Sequence, residues 1–261
     1  MTATAQSTGR SWRWLLPLSS VVLVIALWWL IARFGPISSN VFPGPVQVAR
    51  AAAEYPASRL TLDIGISMLR VAIGFMLALV LGVLLGTLTG ASRVMQRLLH
   101  GPLELLRPIP PLAWITVAII WLGLGEGSKV FIIFMAAFFP IYVAAFRGIK
   151  DVDPMLVEAS RTLGVTQRGT LLRVLLPAAA PDIATGIRIG WGVAFTALVG
   201  AEVIAGESGL GFMIMDARAI GEIPVIVYGI FLIGLLGWTT DALIQKVLME
   251  RVLAWHFRAE H

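Results

Sequence analysis

The amino-acid sequence predicts an all-α polytopic membrane protein with six transmembrane helices. Of its 261 residues, 58% are hydrophobic and 13% charged, with a mean hydropathy of +0.87. A soluble domain carries about 25% charged residues. Several stretches run for about 18 or more residues almost without charge, enough to cross a hydrocarbon layer about 30 Å thick. These runs are continuous rather than alternating, which argues against a closed barrel.

The remaining composition narrows the chemistry. There is no cysteine, so disulfides and thiolate metal sites are excluded. His100, His256 and His261 are scattered without ligand-like spacing, so no metal site is expected. The net charge of +5 gathers near segment ends. That pattern reads as membrane topology rather than as a nucleic-acid surface.

The first span is expected over about Trp14–Ala32, behind Arg10 and Arg13. It is too long for a signal core, and no A-x-A site follows it. Between Phe34 and Asp63, the cluster Gly35, Pro36, Pro43, Gly44 and Pro45 precedes an amphipathic stretch, Val46–Tyr55. This reads as a non-spanning helix at the membrane surface.

The second span, Gly65–Gly90, places Gly74, Ala78, Gly82, Gly86 and Gly90 four residues apart on one stripe. Such a stripe can line a pore or let another helix approach closely; packing is the commoner role. The third, Leu103–Leu124, carries Glu104, Arg107, Pro108, Pro110 and Pro111 in its first half. Proline frees backbone carbonyls that protein or water must satisfy, so this half belongs in the bundle or at its mouth. Glu104 and Arg107 are spaced to pair on one helix face.

A turn over Gly123–Ser128 leads to the fourth span, Val130–Phe146, with a kink at Pro140. The fifth is expected over Ile183–Ala205, the sixth over Ile223–Val247, with a glycine-rich loop, Gly206–Glu222, between them. Glu126 and Lys129 read as outer-surface charges and Arg188 as an inner-face anchor. Trp114, Trp121 and Trp191 can fence a substrate or anchor at the interface, the commoner role. With the amino terminus in the cytoplasm, 14 of the 20 Lys and Arg residues fall on the inner side, so both termini are expected to be cytoplasmic.

The polar stretch Arg147–Asp182 has its own grammar. Asp153 is an N-cap, with Pro154 at the first helical position. Gly164 suits a left-handed C-terminal cap, and Thr166 caps a second short helix that Pro177 and Pro181 are expected to end. Two short helices joined by a glycine turn make a stiff lever.

Here the chain resembles a known family. Glu158-Ala159-Ser160, Gly164, Val174, Leu176 and Pro177 match E-A-A-x3-G-x9-I-x-L-P at every spacing. This is the EAA loop of permease subunits of ATP-binding-cassette importers; Ser160 and Val174 are the two departures. Arg107-Pro-Ile-Pro-Pro-Leu-Ala-Trp114, Ile120–Lys129, Gly200-Ala-Glu202-Val-Ile204 and Gly209-Leu-Gly211-Phe-Met213 resemble the nitrate, sulfonate and taurine branch. The Pro-Pro-Leu-Ala-Trp wording and Trp255-His256 are most similar to taurine permeases.

The resemblance implies a type I ABC importer permease fold in the bacterial cytoplasmic membrane. Its divisions are 1–60 (N-terminus, first span and amphipathic segment), 61–248 (transmembrane core, with the coupling loop at 153–177) and 249–261 (tail). The implied partners are a second copy in a homodimer, two ATPase subunits, an extracytoplasmic binding protein and membrane lipid. ATP and Mg would sit on the ATPase, with no cofactor on this chain, which lacks G-x-x-x-x-G-K-[ST]. The expected coupling residues are Glu158, Ala159, Ser160, Gly164, Val174, Leu176 and Pro177. The path or gate candidates are Arg107, Pro111, Trp114 and Glu202.

The implied cargo is a small sulfonate, taurine first, with other alkanesulfonates or nitrate as alternatives. A secondary transporter would need coupling-ion sites near the midplane, and no buried acid pair is evident there. An intramembrane enzyme would need a catalytic constellation, and none is evident.

Overall fold

The computed structural model describes residues 12–39 and 41–247, with side chains from Ser19 onward. The tail at 249–261 and the first residues lie outside the described residues. Every described element is helical. In chain order they are α1 (Trp12–Phe34), α2 (Pro45–Glu54), α3 (Ala57–Ala91), α4 (Arg93–Leu106), α5 (Pro111–Leu122) and α6 (Glu126–Lys150). Then follow α7 (Pro154–Thr162), α8 (Gln167–Ala205), α9 (Leu210–Ile220) and α10 (Ile223–Val247).

Among the described residues, α3, α6, α8 and α10 are each long and apolar enough to span, and the bent pair α4–α5 passes the same test when taken together, as a broken span or a re-entrant loop. Four to five crossings thus stand beside α1, 23 residues long, whose described apolar part is Ser19–Phe34, a count roughly consistent with the six expected. The surface helix expected over Val46–Tyr55 is α2, where the Gly44 N–H donates to Gln47 Oε1 at 2.9 Å and caps the first turn.

The small-residue stripe of α3 packs on α6. A Cβ added at Gly74 would lie 2.7 Å from Ile133, one at Gly82 2.9 Å from Ile141, and one at Gly90 2.9 Å from Ile149. Isoleucines of α6 thus sit directly on α3 backbone, the close approach that small residues permit in lipid. Behind that contact, Phe75, Phe138, Tyr142, Trp191 and Leu198 knit α3, α6 and α8 into the main core. By contrast α1 keeps most of its described apolar side chains exposed, Leu23 among them, and α10 keeps several, Trp238 among them. Such a surface suits hydrocarbon or another apolar face, not water.

Three sequence expectations are corrected. The third span begins at Arg93, not Leu103, because Ser92 accepts from the Met95 N–H and starts a helix there. It then bends by 90° at residues 107–110, where prolines remove the ladder donors. The Gly206–Glu222 loop contains α9, opened by Gly209 at φ +104° and closed by Gly221 at φ +79°. Finally, Pro177 and Pro181 end no helix: α8 runs unbroken for 39 residues. A helical proline displaces the carbonyl four residues earlier, here that of Arg173. Arg173 lies in a wide π turn, Leu171–Leu175, whose ladder already differs from the α pattern.

Candidate functional site

The 25 residues of α6 separate two polar regions by about 37 Å, at about 1.5 Å per residue. Beyond Lys150 lies the hairpin that carries the EAA-like spacing. The Met155 N–H donates to Asp153 Oδ1 at 2.8 Å, which starts α7 behind Pro154. At its end Gly164 takes φ +75°, and the Val165 N–H donates to the Ser160 carbonyl at 3.0 Å. The Gly169 N–H then donates to Thr166 Oγ1 at 3.2 Å, which starts α8. All three capping roles expected of Asp153, Gly164 and Thr166 are in place.

Sequence reasoning missed how the hairpin closes. Ser160 Oγ donates to the Val157 carbonyl at 2.7 Å and shares a 3.1 Å hydrogen bond with Thr170 Oγ1. Both hydroxyls are buried between α7 and the start of α8. Glu158, Ala159 and Gly164 are exposed; Val174, Leu176 and Pro177 are half-buried in the first turns of α8. Leu176 packs against Ala145, Ile149, Ala179 and Ile183, so the hairpin is anchored to α6 and α8. Around Glu158 an apolar surface stays open, with Met155 74% and Leu163 82% exposed.

At the Glu126 end the arrangement is the opposite. Arg70 is buried mid-helix in α3. Its Nη1 donates to Glu202 Oε1 and to the Ser208 carbonyl, both at 2.7 Å. Its Nε and Nη2 fork onto Glu126 at 2.5 and 2.6 Å. Lys129 is buried, not an outer-surface charge, and donates to Glu126 at 3.1 Å. Glu202 also accepts from Ser67 Oγ at 2.8 Å and from the Gly211 N–H at 2.8 Å. The Leu210 N–H donates to Ser67 Oγ at 2.9 Å, and the Gly209 N–H to Asp63 Oδ1 at 2.8 Å.

Two cations thus face two carboxylates, while Asp63, Ser67 and Glu202 satisfy the free amides at the start of α9. Gly209 and Gly211 are small for a visible reason. A Cβ at Gly209 would lie 2.4 Å from Glu202 Oε1, and one at Gly211 2.6 Å from Glu202 Cβ. The signal for this cluster was present in the sequence: a cation and an anion in apolar spans each need a partner.

The four path or gate candidates separate. Arg107 and Pro111 line an open groove of about 490 Å³ between the α4–α5 bend, α6 and α8. Trp114 packs beside the Ile115, Ala118 and Ala197 cluster. Glu202 is 0% exposed in the ion cluster and does not border the groove. Arg107 reaches Glu104 at 3.7 Å, the pairing expected from their spacing. Arg188 pairs with Asp241 of α10 at 3.1 Å.

Comparison with known proteins gives the context. Residues 59–249 match the family described as "Binding-protein-dependent transport system inner membrane component". The taurine transport system permease protein TauC of Escherichia coli is 32% identical over 94% of this chain and 93% of its own length. The nitrate import permease protein NrtB of Synechocystis is 34% identical over 87% and 86%. A Bacillus subtilis chain named as an aliphatic sulfonates transport permease, SsuC, is 36% identical over 97% and 92%. A chain of the MetNI methionine ABC transporter, solved in inward-facing conformations, superposes with a TM-score of 0.63. It is 22% identical and covers 77% of this chain and 98% of that one. The chain therefore belongs to the binding-protein-dependent inner membrane component family, as a non-catalytic ABC importer permease subunit of the nitrate, sulfonate and taurine branch.

Proposed function

We propose that this permease moves a small sulfonate, taurine first, by alternating access, driven by a separate ATPase that grips the 153–177 hairpin. In this reading two copies pair around the path and two ATPase subunits, holding ATP and Mg, dock beneath. An extracytoplasmic binding protein delivers cargo at the Glu126 end. Both termini and the hairpin are cytoplasmic, as the 14-to-6 charge split supports. Residues 61–248 form the transmembrane core.

The observation that carries the reading is the join between hairpin and span. Buried Ser160 and Thr170 lock α7 to the start of α8, and α8 continues without a break through 39 residues. Such a helix is about 58 Å long. A push on Met155, Glu158 or Leu163 therefore reaches the core as motion of α8, since packed elements transmit displacement rather than absorb it. Glu158, Ala159 and Gly164 form the contact face; Ser160, Val174, Leu176 and Pro177 hold it to the span.

The taurine assignment is supported by the Pro-Pro-Leu-Ala-Trp stretch, and the relatives span sulfonates and nitrate. Uptake of taurine, longer alkanesulfonates and nitrate into proteoliposomes holding permease, ATPase and binding protein tests it. Taurine is expected to give the fastest ATP-dependent uptake; faster nitrate or long-chain uptake would reassign the cargo. For orientation, a Thr162→Cys variant of this cysteine-free chain should label in inside-out vesicles and not in intact cells. Labelling in intact cells would invert the topology.

A further inference from the structure

We propose that the groove between the α4–α5 bend, α6 and α8 binds a small oxyanion through the guanidinium groups of Arg107 and Arg147. This rests on the importer reading above and adds to it a site on the permease itself. Arg107 comes from the bend and Arg147 from the last turn of α6, so residues 40 apart in sequence converge on one cavity of about 490 Å³. No carboxylate lines that cavity; its other polar side chain is Thr185. Its walls are apolar, Phe139, Val143 and Ile189 among them.

Arg107 has one partner, the long ion pair with Glu104, and Arg147 has no ion pair or side-chain hydrogen bond among the described residues. Glu104 and Asp151 border a second hollow on the other side of Arg147. Arg107 stands 3.7 Å from Glu104, outside hydrogen-bond reach. Arg70, Arg59 and Arg188 are by contrast held by carboxylates, those of Glu126 and Glu202, of Asp216 and of Asp241. A planar guanidinium presents a rigid fork of donors suited to sulfonate and nitrate oxygens. Both side chains are exposed at the mouth of the groove, so the two forks, beside apolar walls and with no carboxylate among them, can meet an anion arriving from solution. Charge near a membrane span is costly, and it is best tolerated where it faces a pathway.

The absence of native cysteine makes the groove directly testable in the full-length permease purified in detergent without its ATPase, which leaves the hairpin uncovered. Thr185→Cys places a thiol in the groove, and Thr162→Cys places one on the exposed hairpin. Each is reacted with a sulfonate-bearing and a quaternary-ammonium thiosulfonate reagent, and the ratio of the two rates is read. We expect that ratio at residue 185 to exceed that at residue 162 by about tenfold. Arg107→Gln with Arg147→Gln should abolish the excess, and Arg147→Lys should retain part of it. Arg93→Gln, which removes an inner-side charge away from the groove, should leave it intact. Taurine or nitrate at millimolar concentration should protect residue 185 and not residue 162.

An equal ratio at the two positions, or an excess indifferent to Arg107 and Arg147, would overturn the site. So would protection by phosphatidylglycerol alone, which would make the groove a lipid-headgroup seat. A wild-type complex that transports taurine or nitrate while the groove fails these tests leaves the importer reading standing. A complex that transports neither, with a groove that still prefers anions, removes the cargo assignment and keeps the site.

Discussion

The two ends of α6 solve opposite problems with similar residue types. At Glu126, four ionised groups from α3, α6 and α8 are drawn together, three of them buried, and the start of α9 is tied to the same carboxylates. At Lys150, the following hairpin buries only two hydroxyls and leaves its glutamate and several large apolar side chains open. Buried, mutually satisfied charges hold elements in one geometry, because any separation exposes an unpaired ion to low dielectric. An exposed apolar surface on a rigid hairpin invites another chain. One end of this permease is a joint and the other is a handle.

The comparison breaks most visibly at Glu202. Glu202→Ala leaves Arg70 short of a partner and removes the acceptor of the Ser67 hydroxyl and of the Gly211 N–H, an expected loss of about 3–5 kcal/mol. Unfolding by a graded dodecyl sulfate titration of the purified permease should show it. If the joint depends on charge pairing, Arg70→Met combined with Glu202→Leu should recover part of that loss, since an apolar pair often replaces a buried ion pair without penalty. No difference between Glu202→Ala and wild type would mean the cluster holds nothing.

The hairpin should respond less, and in a pattern that identifies its lock. Ser160→Ala removes the partner of a buried Thr170 hydroxyl, so about 1–3 kcal/mol should be lost locally. Removing both hydroxyls, as Ser160→Ala with Thr170→Val, should come closer to neutral. Hydrogen exchange over residues 154–175 reads the difference. Equal exchange in the single and double variants would show that the two hydroxyls are not coupled.

At Gly164 the space around an added Cβ is empty, so the backbone alone decides. A β-branched residue at φ +75° should cost about 1–2 kcal/mol. Gly164→Val is therefore expected to insert all its spans yet lose stimulation of its ATPase, measured in proteoliposomes, while Gly164→Asn keeps more of it. Normal stimulation in the valine variant would separate the glycine turn from coupling.

Much of the handle was legible in the sequence, and little of the joint was. Asp153, Gly164 and Thr166 act within three residues of themselves, so local rules sufficed to place them. The α3 stripe was likewise readable from its four-residue period, although only the fold shows isoleucines of α6 seated in it. Arg70 and Glu202 lie 132 residues apart, and no local period links them. Gly209 and Gly211 looked like loop glycines because the carboxylate that excludes their side chains comes from another helix. Pro177 and Pro181 misled for a related reason: proline signals a helix end only where the ladder has no wider turn to absorb it.

The smallest effect on the permease itself is expected at Glu158, and it tests the handle most directly. Glu158 is exposed and makes no ion pair among the described residues; its carbonyl accepts from Thr162 Oγ1 at 3.0 Å, a bond that survives truncation of the side chain. As a surface residue, Glu158→Ala should change the stability of the isolated permease by no more than about 0.5 kcal/mol. As a contact to an ATPase it would take with it a charge-assisted bond worth about 1.5–3 kcal/mol. That corresponds to about a tenfold to hundredfold weaker association. The two readings therefore diverge in one experiment: unfolding of the permease alone beside co-purification with its ATPase. The handle predicts an unchanged unfolding curve and a depleted complex, with substrate-stimulated hydrolysis reduced in step. A permease that unfolds early would make Glu158 a part of the fold instead. Full co-purification with normal stimulated hydrolysis would move the contact to the apolar surface of Met155, Leu156 and Leu163, where Met155→Ser and Leu163→Ser should then reproduce the loss.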